Sequence, residues 1–219
     1  MRAVSSATDM AETVHDGIEV GEDGVARCYW ANSTAEYRAY HDDEWGFPVA
    51  DDVRLFEKLS LEGFQAGLSW LTILRKREAF RAAFDGFDFG RIASFTTSDV
   101  QRLLQDAAIV RHRGKIEAVI NNAQRAVELV EAEGSLGGYL WGFAPEPRPR
   151  ALTHAELSQF TSSGEAQALA KDLRRRGWRF VGPTTVYAFM QSMGLVNDHL
   201  AGCAAYEAAS QRRAAFATP

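Results

Sequence analysis

Two short segments at opposite ends of the chain carry two thiols and two imidazoles between them, and no other feature limits the fold as much. Cys28 and His41 lie near the start, His199 and Cys203 near the end, and the chain has no further cysteine. His199 and Cys203 are four residues apart, which on a helix places both side chains on one face, about one turn apart. Two Cys and two His form a donor set suited to a closed tetrahedral zinc site. The spacing is not that of a zinc finger, and two unrelated buried thiols are the plain alternative. A disulfide is the less expected use of the pair in a reducing cytosol. One Zn2+ bound by four protein ligands keeps no open position for a water, so the expected role is structural: it fastens the N-terminal segment to the C-terminal one.

The 219 residues, 46% hydrophobic and 11% aromatic, supply ample core and exclude collagen-like, coiled-coil and wholly disordered classes. The formal charge of −5 argues at first against a nucleic-acid partner. Its location removes the objection. Residues 1–25 hold Arg2 against Asp9, Glu12, Asp16, Glu19, Glu22 and Asp23, so the remainder of the chain is neutral. Residues 1–24 mix acids with Ser, Thr and Gly without an apolar period and are expected to be a disordered acidic tail. They lack the basic start and apolar region of a secretory signal and the Arg-rich, acid-poor character of a transit peptide. No window reaches the roughly 18 apolar residues of a membrane span, so the expectation is a cytoplasmic protein with no membrane partner.

From Asp51 onward the periodicity is helical. Leu55, Leu59, Ala66, Trp70 and Ile73 or Leu74 form an apolar stripe, with a break expected near residues 63–69 where Gly63 and Gly67 interrupt it. Thr97-Ser98-Asp99 is expected to cap a helix that buries Val100, Leu103 and Leu104. Helices are expected from Lys115 to about Glu131, from Ser163 to Arg175 and from Pro183 to Met193. The Gly- and Pro-containing stretch 134–150 is expected to be an extended connection. No run of alternating strands and no repeat occurs. The fold class is all-α, with a domain over residues 25–205 and a C-terminal tail over 206–219.

The N-terminal lobe is rich in aromatics: Tyr29, Trp30, Tyr37, Tyr40, Trp45 and Phe47 lie close together, and Trp70 sits on the helical stripe. Such density usually means core, but flat apolar faces are also what sandwiches a heterocyclic base. Glu62 falls on the apolar side of its helix, where a carboxylate needs a partner, whether a backbone N–H, a Tyr hydroxyl or a ligand. In Gln101–Ile116 a helix, a turn carrying Arg111, Arg113 and Lys115, and a second helix follow one another. Unsatisfied N–H groups at a helix start are a natural phosphate seat, and a solvated basic turn is the alternative. A second basic cluster, Arg174, Arg175, Arg176 and Arg179, sits at a helix end and fits plain dipole compensation.

Six stretches in order carry a family resemblance: RCYW (27–30), YHDDEWG (40–46), LEGFQAGLSWLTILRKRE (61–78), QDAAIVRHRGKI (105–116), RGWRFVGPTTVYAFMQ (176–191) and GLVNDHLAGC (194–203). The chain resembles the 3-methyladenine DNA glycosylase I family, the Tag type of the helix-hairpin-helix glycosylase superfamily. The resemblance implies a helix-hairpin-helix fold closed by zinc on Cys28, His41, His199 and Cys203. It places Glu62 as the carboxylate that bonds the adenine edge and as the catalytic candidate, with Tyr40, Trp45 and Trp70 in the base pocket and Trp30 and Tyr37 nearby. Arg111, Arg113, Gly114 and Lys115 fall in the hairpin that binds DNA. Phe64 stands where a polar residue is expected, and Ala108 where a hairpin glycine is expected. The implied activity is that of a monofunctional glycosylase: it flips 3-methyladenine out of double-stranded DNA and hydrolyses the N-glycosidic bond, leaving an abasic site, as a monomer with no required protein partner. Asp106 and Glu117, the acids nearest the hairpin, do not match the Asp that the wider superfamily places there. Two alternatives remain open: a non-catalytic DNA- or base-binding zinc protein, and an enzyme whose metal is catalytic.

Overall fold

A two-stranded antiparallel hairpin begins the part of the chain that the computed structural model describes, residues 17–219. β1 (Ile18–Val20) pairs with β2 (Ala26–Cys28), with Ile18 opposite Cys28 and Val20 opposite Ala26. Arg27 ties this hairpin down. Its buried guanidinium donates to both carboxylate oxygens of Asp23, at 2.9 and 2.7 Å, and to those of Asp42 on the next element. Residues 17–24 are therefore part of the fold rather than of an acidic tail, and Asp23 is a paired charge. The rest of the expected tail, residues 1–16, lies outside the described residues.

The remaining elements are helices, most of them begun by a Ser, Thr or Asp whose side chain accepts an otherwise unsatisfied N–H. They are α1 (Ala35–Asp43), α2 (Asp52–Gln65), α3 (Trp70–Arg75), α4 (Arg77–Ala83), α5 (Phe89–Ile92), α6 (Thr97–Gln105), α7 (Arg113–Glu133), α8 (Leu136–Trp141), α9 (His154–Leu157), α10 (Gly164–Arg175), α11 (Pro183–Ser192) and α12 (Ala205–Ala214). α6 starts one residue earlier than the sequence pattern predicts: Thr96 is the cap, in a reciprocal box with Asp99. α8 and α9 lie in or next to the stretch read as an extended connection. α12 occupies most of the expected C-terminal tail. Its Ala-rich sequence favours helix, Arg213 donates to the carbonyls of Leu195 and Pro145, and Phe216 just beyond it packs on Trp141 with ring centroids 4.5 Å apart.

The expected stripe on α2 is also revised. Every residue from Leu55 to Phe64 is buried, because α2 runs through the middle of the molecule and packs against α3, α7, α8 and α11. A helix covered on all sides has no solvent stripe. The chain leaves α2 only after Gln65, so Gly63 is an interior residue of the helix; Ala66, which the stripe assigned to the core, is exposed in the turn. Phe64 is fully buried, its ring 4.6 Å from Phe80 and 6.0 Å from Phe84.

The end of α2 is held by a cation. The Nζ of Lys115, on the first turn of α7, donates to the carbonyls of Phe64 at 2.9 Å and Ala66 at 2.6 Å, satisfying acceptors that the helix leaves open. Lys115→Met should cost about 1.5–3 kcal/mol, the loss expected for a buried hydrogen bond to a charged group, read as a lower urea midpoint with an unchanged slope.

Candidate functional site

The four predicted metal ligands meet. Their donor atoms all lie within 4.8 Å of one another and all four residues are buried. Cys203 Sγ is 3.4 Å from His41 Nε2 and 3.6 Å from His199 Nδ1, and Cys28 Sγ is 4.0 Å from His199 Nδ1. A tetrahedral ion with ordinary Zn–S and Zn–N bonds spaces sulfur and nitrogen by about 3.6 Å, so the cage has the right size. Each imidazole is also turned the right way. His41 Nδ1 donates to Asp42 Oδ1 at 2.8 Å, which leaves Nε2 as the ligand atom; His199 Nε2 donates to the Trp45 carbonyl at 3.0 Å, which leaves Nδ1. Donation from the Cys28 thiol holds the Cys203 thiol far below its ordinary value. Gly46, at φ +83°, permits the approach of His199: a Cβ there would stand 2.8 Å from Nε2.

A cavity of about 390 Å³ lies against this cluster. Trp30, Tyr37, Tyr40, Trp45, Glu62 and Trp70, the whole predicted base pocket, line it together with Cys28 and Leu200. The aromatic rings brace one another, Trp30 against Trp45 at 5.3 Å and against Tyr37 at 5.5 Å, Tyr40 against Trp70 at 5.4 Å. The same rings lean on the ligands, Trp30 on His41 at 5.2 Å and Trp45 on His199 at 4.7 Å. The cavity and the metal cage therefore share a wall. Phe64 faces the core instead, so its apolar character does not touch the cavity.

Glu62 has a partner that the sequence reading missed. Lys58, one turn earlier on α2 and 5% exposed, places its Nζ 2.7 Å from Glu62 Oε1, 2.7 Å from the Tyr40 hydroxyl and 3.2 Å from the centre of the Trp70 ring. Burial pushes the Lys58 ammonium down to about 8, and the Glu62 carboxylate opposes that shift. Burial, then the charge of Glu62, holds the Tyr40 phenol well above its ordinary range. The available signal was the i, i+4 spacing of Lys58 and Glu62 inside a helix with no exposed side. Asp198 also lines the cavity unpredicted, but its carboxylate is occupied: Tyr187 donates to it at 2.6 Å, Gln191 at 2.8 Å, and Arg148 pairs with it.

The basic turn is built as a hairpin between α6 and α7. Asp106 Oδ1 accepts the Ala108 N–H at 2.8 Å, and Ala108 does not adopt positive φ, so the turn does not need the glycine expected there. His112 caps α7 by accepting the Lys115 N–H at 3.2 Å. Arg111 and Arg113 are exposed beside Gly114, whereas Lys115 points inward. Buried Asn122 on α7 both accepts from the Arg179 N–H and donates to its carbonyl, which fixes the loop before α11 against the hairpin. That loop presents Phe180, 41% exposed and at φ +55°, edge-on to His112. In the second basic cluster Arg175 and Arg176 are paired with Asp172, and Arg176 also with Glu133.

The methyladenine glycosylase family model matches residues 30–206. The chain belongs to that family. It is 46% identical over 183 residues, 83% of its length and 97% of the relative's, to DNA-3-methyladenine glycosylase 1 of Escherichia coli. Among solved structures it matches a 3-methyladenine DNA glycosylase I at 47% identity and a TM-score of 0.78, covering 82% of this chain and 99% of that one. It also matches a Tyr-to-Phe variant of 3-methyladenine DNA glycosylase I in complex with 3-methyladenine, at 37% identity and a TM-score of 0.77, covering 82% and 97%.

The orientation of His41 by Asp42 gives a direct test of the cage. Asp42→Asn should weaken metal retention about 10- to 100-fold, measured by competition with a chromophoric chelator; an unchanged competition curve would show that His41 does not depend on this carboxylate.

Proposed function

We propose that this chain removes 3-methyladenine from alkylated double-stranded DNA by hydrolysing the N-glycosidic bond, leaves an abasic site without cutting the strand, and works as a monomer with one structural Zn2+. The observation that carries the reading is a carboxylate, Glu62, set in the wall of an aromatic cavity in a chain of this family. N3-methylation makes the nucleoside base cationic, so its glycosidic bond is already weak and the base leaves neutral without a proton from the protein. What remains is to extrude the nucleotide and hold it, at a cost of a few kcal/mol. Stacking of roughly 1–3 kcal/mol per base against the aromatic walls offsets much of that cost. Glu62 Oε1 is committed to Lys58, and Oε2 is left to accept from the exocyclic amine. Phosphate contact falls to Arg111, Arg113 and the N–H groups at the start of α7; the inward position of Lys115 removes it from that role.

The Cys2His2 donor set favours zinc over hard cations. When bound, the ion supplies cross-linking and no Lewis-acid step, because all four positions belong to protein ligands. Structural sites of this kind hold roughly 10–16 kcal/mol of apparent binding free energy. Chelation should therefore abolish fold and base release together, followed by circular dichroism and activity in one titration. A fold that survives chelation while activity is lost would favour the catalytic-metal alternative.

Base release from methylated duplex DNA separates the enzyme from a non-catalytic binding module. Glu62→Gln should lower it by about 10- to 150-fold, the equivalent of about 1.5–3 kcal/mol for a charged hydrogen bond. Release by the wild-type chain no greater than by Glu62→Ala would sink the enzymatic reading.

A further inference from the structure

Lys58 stands behind the aromatic wall rather than in the base cavity. Tyr40 and Trp70 line that cavity on one side, and on the other, with Lys58, a small void of about 20 Å³. The other charged groups facing this void are Glu44 at the end of α1, Arg54 and Glu57 on α2, and Arg77 and Arg81 on α4. Two of the three cations are already matched: Arg77 binds Glu44 at 2.6 Å and Arg81 binds Glu57 at 2.9 Å. The ammonium of Lys58 is directed elsewhere, to Glu62 Oε1, the Tyr40 hydroxyl and the face of Trp70, three groups that line the base cavity.

We infer that Lys58 is a positioning residue for base recognition: from behind the aromatic wall it keeps Glu62 ionised and fixes which carboxylate oxygen meets the base. This rests on the proposed role of Glu62. A carboxylate buried among aromatic rings takes up a proton unless a cation stands beside it. A protonated Glu62 would lose both its charge preference for a methylated base and the strength of its hydrogen bond to the exocyclic amine. The contact with Trp70 at 3.2 Å from the ring centre holds the ammonium in place at the same time.

The test compares wild type, Lys58→Gln, Lys58→Arg, Glu62→Gln and the double variant Lys58→Gln/Glu62→Gln. Single-turnover release of 3-methyladenine from methylated duplex DNA is followed from pH 6 to 9, and the Glu62 carboxyl is titrated by 13C NMR. In Lys58→Gln the carboxyl should titrate higher, base release should fall about tenfold or more at pH 6 and recover toward wild type by pH 9, at about tenfold per pH unit. Lys58→Arg should restore much of the wild-type profile. Lys58→Gln should add little to the loss already caused by Glu62→Gln. A Lys58→Gln enzyme with the wild-type pH profile and an unmoved Glu62 titration overturns the assignment, as does an equal loss in both Glu62 backgrounds. Lys58→Met, apolar and of similar length, serves where Lys58→Gln does not fold; failure of both to fold would make the pair a purely structural element and also overturn it. Should Glu62→Gln release base at the wild-type rate, the role of Glu62 fails by itself, while its carboxyl titration still reports on the coupling to Lys58.

Discussion

The junction of the N- and C-terminal segments at four buried donor atoms is what the aromatic cavity is built on. The N-terminal lobe consists of a hairpin of two three-residue strands, a nine-residue helix and their connections, and the apolar cluster it shares with the C-terminal segment has just Cys28, Leu200 and Cys203 at its centre. A lobe with so little core cannot hold itself against chain entropy. Yet Trp30, Tyr37, Tyr40 and Trp45 all come from it. The cage fastens their backbone, and the imidazoles it orients are the surfaces on which Trp30 and Trp45 rest. A metal ion held there would, through those rings, fix the shape of the pocket.

The second dependence is on buried cations. α2 is covered on every side and carries Glu57, Lys58 and Glu62 in its buried run, while Lys115 reaches its C-terminal end from α7. An unpaired charge in such surroundings costs several kcal/mol, so each of these groups has a fixed address. Lys115 closes the carbonyls from which the chain turns into α3, and Lys58 closes the carboxylate that faces the cavity. The helix that sets Glu62 in the cavity wall is thereby pinned at its end and in its middle, and rigid support of this kind is what keeps a binding constellation in register.

Much of this was legible in the sequence for a physical reason: cysteines, histidines and tryptophans are few and chemically distinctive, so four ligands and a cluster of rings declare themselves without any knowledge of the fold. The long helices were legible from their period and caps. Lys58 and Lys115 were not, since a lysine ordinarily reads as surface, and only the packing of four neighbours around α2 turns it into a buried ion. The same limit explains the assignment of residues 17–24 to a tail. Asp23 looked like one more solvated acid until Arg27 was found against it. It also explains α12, whose polar, alanine-rich sequence has little apolar periodicity and whose docking depends on Arg213 and Phe216 meeting distant carbonyls and a distant ring. Net charge misled in a related way, because it sums groups whose pairing it cannot see.

The distribution of acids bears on how the chemistry is divided. Near the hairpin, Asp106 is used to shape the turn and Glu117 pairs with Arg113, and neither lines the cavity. Of the two carboxylates that do line it, Asp198 is saturated by Tyr187, Gln191 and Arg148, and Glu62 shares a cation. An enzyme that had to protonate a poor leaving group would need an acid with a free proton in that wall. A cationic methylated base needs none, because its own positive charge already weakens the bond to be broken. On the reading proposed above, a cavity of aromatic faces with a carboxylate and no free acid suits a base that leaves without a proton, so selectivity would follow from what the site leaves out as much as from what it binds.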